Sequence, residues 1–550
     1  MQRPQNQSIL YFALLLIIVI PLFSFGLANH GLWTADEPRV AEVGREMALT
    51  GNWSVPFLNE RPFLEHPPLY YASVAAAFKV FGVHDWVARI PSALFAFAGV
   101  VALFLLAAFL MGPRAGFISG VVMATCGEYF RVAHWVIVDS ALAFFVILAL
   151  LFFMVAYFSE GRMRRLLFYG LSYVACTLAF FTKGFIGIVL PGAAVVCFLA
   201  FDRNIREVLR MHLWLAVLIF LAMTAPWFLS LWSQGGSEYL GVFLVHNHLE
   251  RFSGGSSGHH QPFYYYFLQF PAAFLPWSLL MVPVILRFFR RSDRTTDRAG
   301  KGALFMACWF AAGFVVLSVA STKRALYLMP LFAPVSLLVA AYIESTLKKS
   351  FFGKVDKVFV CLFGLLPCIA AMAAIPGLLM AAKKYGIALP AKELAFTIFF
   401  SLASMGLSVA SFWSLRARIA RFWAFSAASI LSLLLLGLIA AMPVLDNFKT
   451  FVPFTEAIRA SVPSSSDLYA YQPDETLRGA VPFYTGRFVK EIDTLPRLKE
   501  ALGKEKTLYV VIRDRRGEME RELLAAGMAV VFRQSRDTGR ALVILKGGQG

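Results

Sequence analysis

The chain has 550 residues, of which 59% are hydrophobic and 15% charged, and its mean hydropathy is +0.67. Soluble globular domains are nearer half apolar and about a quarter charged, so this composition excludes a soluble protein and indicates one that crosses a membrane many times. The net charge of +18 does not point to nucleic acid, because the sequence has no stripe of interleaved basic and aromatic residues.

Long apolar stretches recur from the amino terminus to about residue 442. Lipid offers the backbone no hydrogen-bond partners, so each stretch is predicted to be a helix. We count about thirteen stretches that approach the length of a membrane span. They lie near residues 9–28, 88–110, 115–133, 140–158, 166–182, 185–201, 213–232, 263–287, 302–320, 325–343, 358–381, 394–414 and 422–442. No small-residue cleavage site follows the first stretch, which we therefore interpret as a retained span rather than a signal peptide.

Basic residues cluster in the short connections that fall on one side of the membrane in this count. The clusters are Arg162, Arg164 and Arg165; Arg203, Arg206 and Arg210; Arg287, Arg290, Arg291, Arg294 and Arg298; Lys348, Lys349, Lys354 and Lys357; and Arg416, Arg418 and Arg421. Lys and Arg in short loops mark the cytoplasmic side. The amino terminus is therefore predicted to lie inside and the carboxyl terminus outside.

Three parts of the chain are predicted to stand on the outer face: the loops at about 29–87 and 233–262, and the tail 443–550. Apolar residues recur at helical spacing in 36–49 and 67–81, and we expect the first of these helices to lie on the membrane surface. The second loop contains a flexible Ser/Gly run that suits either a mobile lid or a simple linker.

The tail alternates apolar runs with amphipathic segments. Residues 508–512 and 541–545 are predicted to be buried strands, and 495–502 and 519–526 helices. We therefore predict a mainly α membrane domain over residues 1–442, followed by a small α/β domain over 443–550.

Two adjacent acids follow the first apolar stretch, within the segment TADEPR at 34–39. Asp36 and Glu37 thus stand where the chain first meets water on the outer side. An enzyme that takes lipid-borne substrates needs its polar chemistry at this depth, although a solvated loop start has the same appearance.

Some basic residues lie on the side opposite the basic clusters. Lys183 falls in the turn between the fifth and sixth predicted spans, and Lys323 and Arg324 between the ninth and tenth. Ionisable groups near membrane depth are costly and pair with something. Few acids neighbour these cations in the sequence, so we favour binding of an anion such as a lipid phosphate over a structural ion pair or snorkelling. Arg39 and Arg251 are further candidates on the outer face.

Histidines also concentrate on the predicted outer face. His246 and His248 are two residues apart and present two imidazoles together if the segment is extended, and Glu65 would complete a site. Such ligands suit a divalent metal such as zinc. Surface or hydrogen-bonding histidines remain the alternative, and no organic cofactor is predicted. The six cysteines all fall in predicted spans without metal-ligand spacing, which indicates packing.

An ordered set of motifs resembles a known class of membrane enzymes. The motifs are TADEPR at 34–39, RPFLEHPPLYY at 61–71, VDS at 138–140, FTKG at 181–184, APWF at 225–228 and KRALYLMP at 323–330. Their order and the chain length are similar to those of GT-C glycosyltransferases that use polyprenyl-phosphate sugars, including the protein O-mannosyltransferases. Within that class the sequence looks most like the bacterial 4-amino-4-deoxy-L-arabinose transferases, which modify lipid A. His66 stands where those transferases carry a lysine, which removes a possible phosphate ligand.

The resemblance implies an inverting transfer of 4-amino-4-deoxy-L-arabinose from undecaprenyl phosphate to a phosphate of lipid A. It implies that Asp36, with Glu37, lies at the reacting centre, and that Asp139 is a second active-site acid. Glu65 would orient it or hold a metal. The candidates for the carrier-lipid phosphate are Arg39, Lys183, Arg251, Lys323, Arg324 and Tyr327. The expected setting is the inner membrane of a Gram-negative bacterium, with the site and tail in the periplasm and the protein a monomer among membrane lipids.

Two other functions stay open at this point. A related transferase of the same class would use a protein or glycan hydroxyl as acceptor. A flippase for lipid-linked sugars would place its polar site near the bilayer midplane between repeated halves. The acids here cluster toward the outer surface and no internal repeat is evident, which disfavours transport.

Overall fold

The computed structural model describes residues 2–33, 36–250, 260–290, 297–348, 353–387, 389–535 and 540–548. Within these ranges ten helices are long and apolar enough to cross a membrane. They are Asn6–Ser24, Asp85–Met111, Asp139–Tyr157, Arg162–Lys183, Leu213–Asn247, Arg298–Val319, Ala325–Leu347, Lys354–Lys384, Ala391–Leu415 and Ile419–Lys449. The predicted class, a mainly α multi-pass membrane protein with a small carboxyl-terminal α/β part, is confirmed.

The three remaining predicted spans are helical but short or broken. The segment near 263–287 is the bent pair Tyr265–Ala273 and Trp277–Phe289, whose axes differ by 111°. The segment near 185–201 is a helix of only 16 residues, Ile186–Phe201. The segment near 115–133 is interrupted at Thr125 and Cys126, where the Trp277 indole donates to the Thr125 hydroxyl. Hydropathy registers the apolar character of such a segment but not a break that tertiary contacts stabilise.

The helices of the membrane part are numbered in chain order. They are α1 Gln2–Ser24, α2 Asp36–Thr50, α3 Leu69–Phe81, α4 Asp85–Met111, α5 Pro113–Ala124, α6 Gly127–Ala133, α7 Asp139–Tyr157, α8 Arg162–Lys183, α9 Ile186–Phe201, α10 Glu207–Arg210, α11 Leu213–Gly241, α12 Tyr265–Ala273, α13 Met281–Arg290, α14 Arg298–Val319, α15 Phe332–Lys348, α16 Lys354–Tyr385, α17 Ala391–Ala417, α18 Ile419–Leu436 and α19 Met442–Lys449. Wider π-helical turns occupy Val242–Glu250 and Gly437–Ala441, and tighter 3₁₀ turns occupy Trp277–Leu280 and Ala325–Leu331. A short hairpin pairs β1, Phe57–Leu58, with β2, Arg61–Pro62.

Ion pairs identify the two ends of the helical bundle. Asp139 begins α7 and Lys183 ends α8, and their side chains pair at what we call the site end. At the opposite end, which we call the basic end, Lys301 of α14 bonds Asp202, just after α9, and Tyr157, the last residue of α7. Helices α7, α8 and α9 therefore alternate in direction, as the predicted topology requires.

Helix α2 is buried rather than spread on the membrane. Ten of its residues between Glu37 and Met47 are buried against α3 on one side and the carboxyl-terminal part on the other. Gly44 allows this approach, since a Cβ there would lie 2.5 Å from a methyl of Val74. Gly479 does the same on the other side, where a Cβ would lie 2.6 Å from the backbone nitrogen of Arg39. The expectation of a membrane-surface helix is therefore wrong, because α2 is an internal layer.

The carboxyl-terminal part is a five-stranded mixed sheet in the order β4-β3-β5-β7-β6, with helices on both faces. Its elements are α20 Val452–Ser461, β3 Leu468–Tyr471, α21 Glu475–Thr485, β4 Lys490–Ile492, α22 Leu495–Lys504, β5 Leu508–Asp514, α23 Glu518–Ala525, β6 Ala529–Ser535 and β7 Ala541–Gly547. Strand pairs β3/β4 and β3/β5 are parallel, and β7 runs antiparallel to both neighbours. The predicted strands and helices of the tail are confirmed. The predicted domain boundary at 442/443, between the membrane domain and the α/β domain, stays a prediction.

Candidate active site

Asp36, the first residue of α2, is held by two arginines. Arg324 contacts both carboxylate oxygens, with Nη1 3.1 Å from Oδ1 and Nη2 on Oδ2. Arg39, one turn along α2, donates from Nη2 to Oδ1 at 3.0 Å. A guanidinium that bonds both oxygens fixes the plane of the carboxylate. Asp36 is thus held in one orientation by Arg324, 288 residues away in sequence.

The arginines also determine the charge of Asp36. Burial by itself raises the pKa of a carboxyl group, but Arg324 and Arg39 outweigh it and leave the pKa of Asp36 below its ordinary value. The carboxylate is therefore ionised at neutral pH.

Arg39 connects three acids from three parts of the chain. Besides Asp36, it contacts Glu65, which lies between β2 and α3, at 3.1 Å and Glu475 at the start of α21. Its guanidinium also lies 5.5 Å from the centre of the Phe63 ring. Arg39 therefore links the membrane part to the carboxyl-terminal sheet domain at the edge of the site.

A second ion pair lies beside the first. The Lys183 ammonium bonds Asp139 Oδ1 and sits 4.0 Å from the centre of the Tyr327 ring. The Asp139 side chain is only 1% exposed, so Lys183 compensates a charge that has almost no contact with water. The charges of Arg324 and Asp36 also act on Asp139. The two ion pairs form one electrostatic unit, which we call the paired-ion cluster (Asp36, Asp139, Lys183 and Arg324).

A cavity of about 350 Å³ opens beside the paired-ion cluster. Its polar wall includes Glu65, His66, Lys183 and Tyr327. Its other walls are apolar and come mainly from α9 and α14, through Phe185, Ile186, Val189, Leu190, Val316 and Leu317. A ligand with an anionic head and a hydrocarbon tail matches this division of polar and apolar surface.

Few acids neighbour these cations in the sequence, but the folded chain places an acid beside two of them, Lys183 and Arg324. Folding brings Asp139 to Lys183 across 44 residues and Asp36 to Arg324 across 288. The net charge of the cluster is therefore near zero, so a further anion would have to share these cations with the two carboxylates.

Glu37 does not face the cavity, and its predicted place at the reacting centre is corrected. Its side chain is fully buried and pairs with Arg89, which is also fully buried, at 2.9 Å. The backbone N–H groups of Trp33 and Val136 donate to the two carboxylate oxygens. Glu37 therefore joins α2, α4 and the α6–α7 turn, which is a structural role.

Lys323 is directed away from its neighbour Arg324. Its ammonium bonds the carbonyl oxygens of Gln261, at 2.9 Å, and Ala320, at 2.5 Å. It lines a separate groove with Phe263 and Phe267, on the other side of the carboxyl-terminal end of α14. The structure therefore brings together Arg39, Lys183, Arg324 and Tyr327 of the predicted phosphate ligands but not Lys323. Arg251 lies outside the described residues.

Two of the three predicted metal ligands have other partners. Glu65 pairs with Arg39, and the exposed His246 bonds Glu250 through Nδ1 at 2.7 Å. The side chain of His248 lies outside the described part of the chain. Among described residues, no group of three His, Cys, Asp or Glu side chains is arranged to hold a metal ion. The described donors do not fit a metal ion.

Other residues at the site were missed from the sequence. Glu475 reaches Arg39 from 436 positions away, and no sequence signal marks it. Arg131 lies within range of the charges of Arg324 and Asp36, and it pairs with Glu128. Glu128 and Arg131 do carry a signal, because charges inside an apolar stretch are costly and mark functional positions.

Comparisons with known proteins confirm the resemblance to GT-C membrane glycosyltransferases that the sequence predicts. Residues 65–230 match the dolichyl-phosphate-mannose-protein mannosyltransferase family. The crystal structure of ArnT from Cupriavidus metallidurans bound to undecaprenyl phosphate superposes with a TM-score of 0.80 at 19% identity, over 97% of this chain and 98% of that one. The archaeal oligosaccharyltransferase AglB from Archaeoglobus fulgidus gives a TM-score of 0.50 at 12% identity, over 93% and 70%.

Among curated relatives, the undecaprenyl phosphate-alpha-4-amino-4-deoxy-L-arabinose arabinosyl transferase of Pseudomonas paraeruginosa is 30% identical over 351 residues, which are 64% of this chain and 62% of that protein. The enzyme of the same name from Pseudomonas aeruginosa is 31% identical over 340 residues, which are 62% and 60%. The chain thus spans about three fifths of the length of the curated relatives it matches.

Proposed function

We propose that the protein is an integral-membrane glycosyltransferase that moves 4-amino-4-deoxy-L-arabinose from undecaprenyl phosphate to a phosphate of lipid A. The observation that carries the proposal is the paired-ion cluster beside a cavity with one polar and several apolar walls. The names of the curated relatives, and the undecaprenyl phosphate bound by the ArnT structure, support the donor. The lipid A acceptor follows from the resemblance of the motifs.

The donor fits the cavity in one orientation. Its isoprenoid tail would lie against the apolar side chains of α9 and α14, and its phosphate would reach Lys183 and the hydroxyl of Tyr327. The sugar would then extend from the phosphate toward Asp36. Cations around the phosphate stabilise the negative charge that develops there as the glycosidic bond breaks. Arg324 and Arg39 add paired donors next to this position.

The transfer is proposed to proceed by single displacement with inversion. The acceptor oxygen bonds to the anomeric carbon as the bond from that carbon to the carrier phosphate breaks, and the carrier leaves with both electrons of that bond. Because a phosphate is a good leaving group, this reaction needs no strong acid. The ionised Asp36 would favour positive charge on the sugar ring and would attract the ammonium of an amino sugar.

The state of Asp36 favours a phosphate acceptor over a hydroxyl. A general base works best when its pKa lies near the working pH. The pKa of Asp36 instead lies below its ordinary value, so Asp36 is a weak base. An ionised phosphate has no proton to remove, so this acceptor suits a carboxylate that positions groups and stabilises charge.

The proposed setting is the inner membrane of a Gram-negative bacterium. Two of the basic clusters predicted to be cytoplasmic, at 162–165 and 203–210, directly follow Tyr157 and Asp202 of the basic end, which supports a site end facing the periplasm. Both lipid substrates would then reach the cavity from the outer leaflet.

The test uses purified protein with the polyprenyl donor and lipid A, and mass spectrometry of both lipids. The wild type is expected to add the mass of one pentosamine to lipid A while donor is consumed. Asp36→Asn keeps the size of the side chain but removes its charge, and we expect transfer to fall by a factor of about 100 or more. Asp467→Asn, at an exposed pair on the sheet domain, is the matched control.

Three results would contradict the proposal. One is normal turnover by Asp36→Asn. Another is donor consumption with peptide acceptors but not with lipid A, which would indicate a hydroxyl transferase. The third is movement of the donor across the bilayer without consumption, which would indicate a flippase.

A further inference from the structure

Another cavity lies away from the paired-ion cluster, at the basic end of the bundle. Its volume is about 390 Å³, and its walls come from α1, α5, α15, α18 and the 3₁₀ turn before α13. The deep part is lined by apolar side chains, among them Ile18, Val122, Trp277, Ile343, Ala427 and Leu431. We call this cavity the basic-end groove.

The length of the groove matches one leaflet of a bilayer. Its lining runs along α18 from Ala420 to Leu431, which at 1.5 Å per residue is about 16 Å. The hydrocarbon core of a bilayer is about 30 Å thick, so the groove spans roughly half of it. Along α5 the lining runs from Arg114 to Val122, in the same direction away from the basic end. These dimensions suit a single acyl chain inserted from the leaflet at the basic end.

The mouth of the groove carries positive charge. Arg114 is exposed there, and its Nε donates to the hydroxyl of Tyr11, which also lines the groove, at 3.1 Å. Arg418 and Arg421 are exposed on either side of Ala420, at the same end of α18. The charge of Glu344 opposes that of Arg114. Basic residues at the cytoplasmic ends of membrane helices attract the phosphates of anionic lipids.

We propose that the basic-end groove is a binding site for an anionic phospholipid of the leaflet at the basic end. One acyl chain occupies the apolar part, and the phosphate lies at Arg114 and Tyr11. This site is distinct from the donor cavity, which opens beside Lys183 at the other end of the helices. Its occupant therefore comes from the opposite leaflet and is a structural ligand rather than a substrate.

The experiment measures lipid retained by the purified full-length protein, with phosphatidylglycerol and phosphatidylcholine as the probes. Protein is equilibrated with mixed vesicles of the two lipids, and bound lipid is quantified by native mass spectrometry. The wild type is expected to retain phosphatidylglycerol in preference. Attraction between one arginine and the phosphates of anionic lipids contributes to this retention. Losing it in Arg114→Gln should weaken the retention of phosphatidylglycerol about fivefold. Arg206→Gln, an exposed arginine in another basic loop, should leave it unchanged.

A second variant tests the apolar part. Ala424 lines the groove, and Ala424→Trp fills it, so both lipids should be lost from the site. Ala373→Trp places the same bulk on an exposed position of α16 outside the groove and should retain them. Equal retention of the two lipids by the wild type would overturn the proposal. So would phosphatidylglycerol retention that Arg114→Gln leaves unchanged.

Discussion

Lys183 holds its ammonium between the carboxylate of Asp139 and the ring of Tyr327. Removing one member of a buried ion pair leaves the other charge without compensation, which costs about 3–5 kcal/mol. The same ammonium faces the cavity where we place the donor phosphate. Lys183 therefore has a structural role and a proposed binding role, and a single substitution changes both.

Two variants separate these roles. We expect Lys183→Ala to lower the thermal stability and to weaken binding of the polyprenyl donor at least tenfold, because a charged hydrogen bond to phosphate is lost. The double variant Asp139→Asn/Lys183→Met replaces the buried pair by neutral side chains. It should recover most of the stability but not the donor affinity. Thermal denaturation and donor titration measure the two effects, and a double variant that binds donor normally would remove Lys183 from the phosphate site.

Adjacent residues in the sequence proved to have different surroundings. Asp36 faces Arg324, whereas Glu37 points into the protein interior and pairs with Arg89. Successive residues on a helix project about 100° apart, so two neighbouring acids at its start cannot share one cavity. Lys323 and Arg324 diverge in the same way, just before a 3₁₀ turn. The motifs therefore predict members of the paired-ion cluster, but which residue of each adjacent pair belongs to it depends on backbone direction.

Helix α2 carries charged residues in an almost fully buried layer. Arg45 donates to both oxygens of Glu42, at 2.6 and 2.7 Å, while Glu46 accepts from the backbone N–H groups of Asn59 and Glu60. Burial raises the pKa of Glu42 to about 8, and the opposing effect of Arg45 is smaller. Asp36 therefore belongs to a helix whose contribution to stability depends on pH.

The direction in which stability changes with pH follows from the raised pKa of Glu42. The folded protein holds a proton on Glu42 more tightly than the unfolded chain, whose pKa is near 4.5. Its contribution to stability is therefore present at low pH and is lost as the pH rises from about 4.5 to 8, at up to roughly 1.4 kcal/mol per pH unit. Glu42→Gln should remove this slope. Thermal denaturation between pH 5 and 8 measures it, with the exposed Glu456→Gln as control, and identical slopes in wild type and Glu42→Gln would contradict the assignment.

The apolar pattern of the sequence was sufficient to predict α2, α3 and two of the five strands of the sheet domain, β5 and β7, but not β3, β4 or β6. It was not sufficient for the interruption between α5 and α6 or for the bend before α13. There the chain turns where Thr125 meets Trp277 and where Gly127 N–H bonds the carbonyl of Leu275, contacts that join distant segments. A hydropathy window records only that these segments are apolar.

The carboxyl-terminal sheet domain docks on the site end through a few specific contacts. Tyr484 donates its hydroxyl to Asp85 at 2.9 Å and accepts the N–H of Leu32 at 2.7 Å. Asn59 exchanges two hydrogen bonds with the backbone of Val489, each 2.9 Å long. These partners are 399 to 452 residues apart, so no local pattern could have paired them. The contact of Glu475 with Arg39 depends on this docking. It could therefore not be predicted from the sequence.

Tyr484→Phe tests whether this docking maintains the site. The variant keeps the ring but removes the hydroxyl, so the N–H of Leu32 and the carboxyl of Asp85 lose a partner, at a cost of about 1–3 kcal/mol. We expect faster proteolysis of the sheet domain and a severalfold loss of transfer, because Glu475 then holds Arg39 less often. Tyr469→Phe, which removes a hydroxyl bonded to Glu505 inside the domain, should lose stability without this effect on transfer. Unchanged transfer by a Tyr484→Phe protein whose sheet domain is cleaved faster would show that the membrane part forms the site without the docked domain.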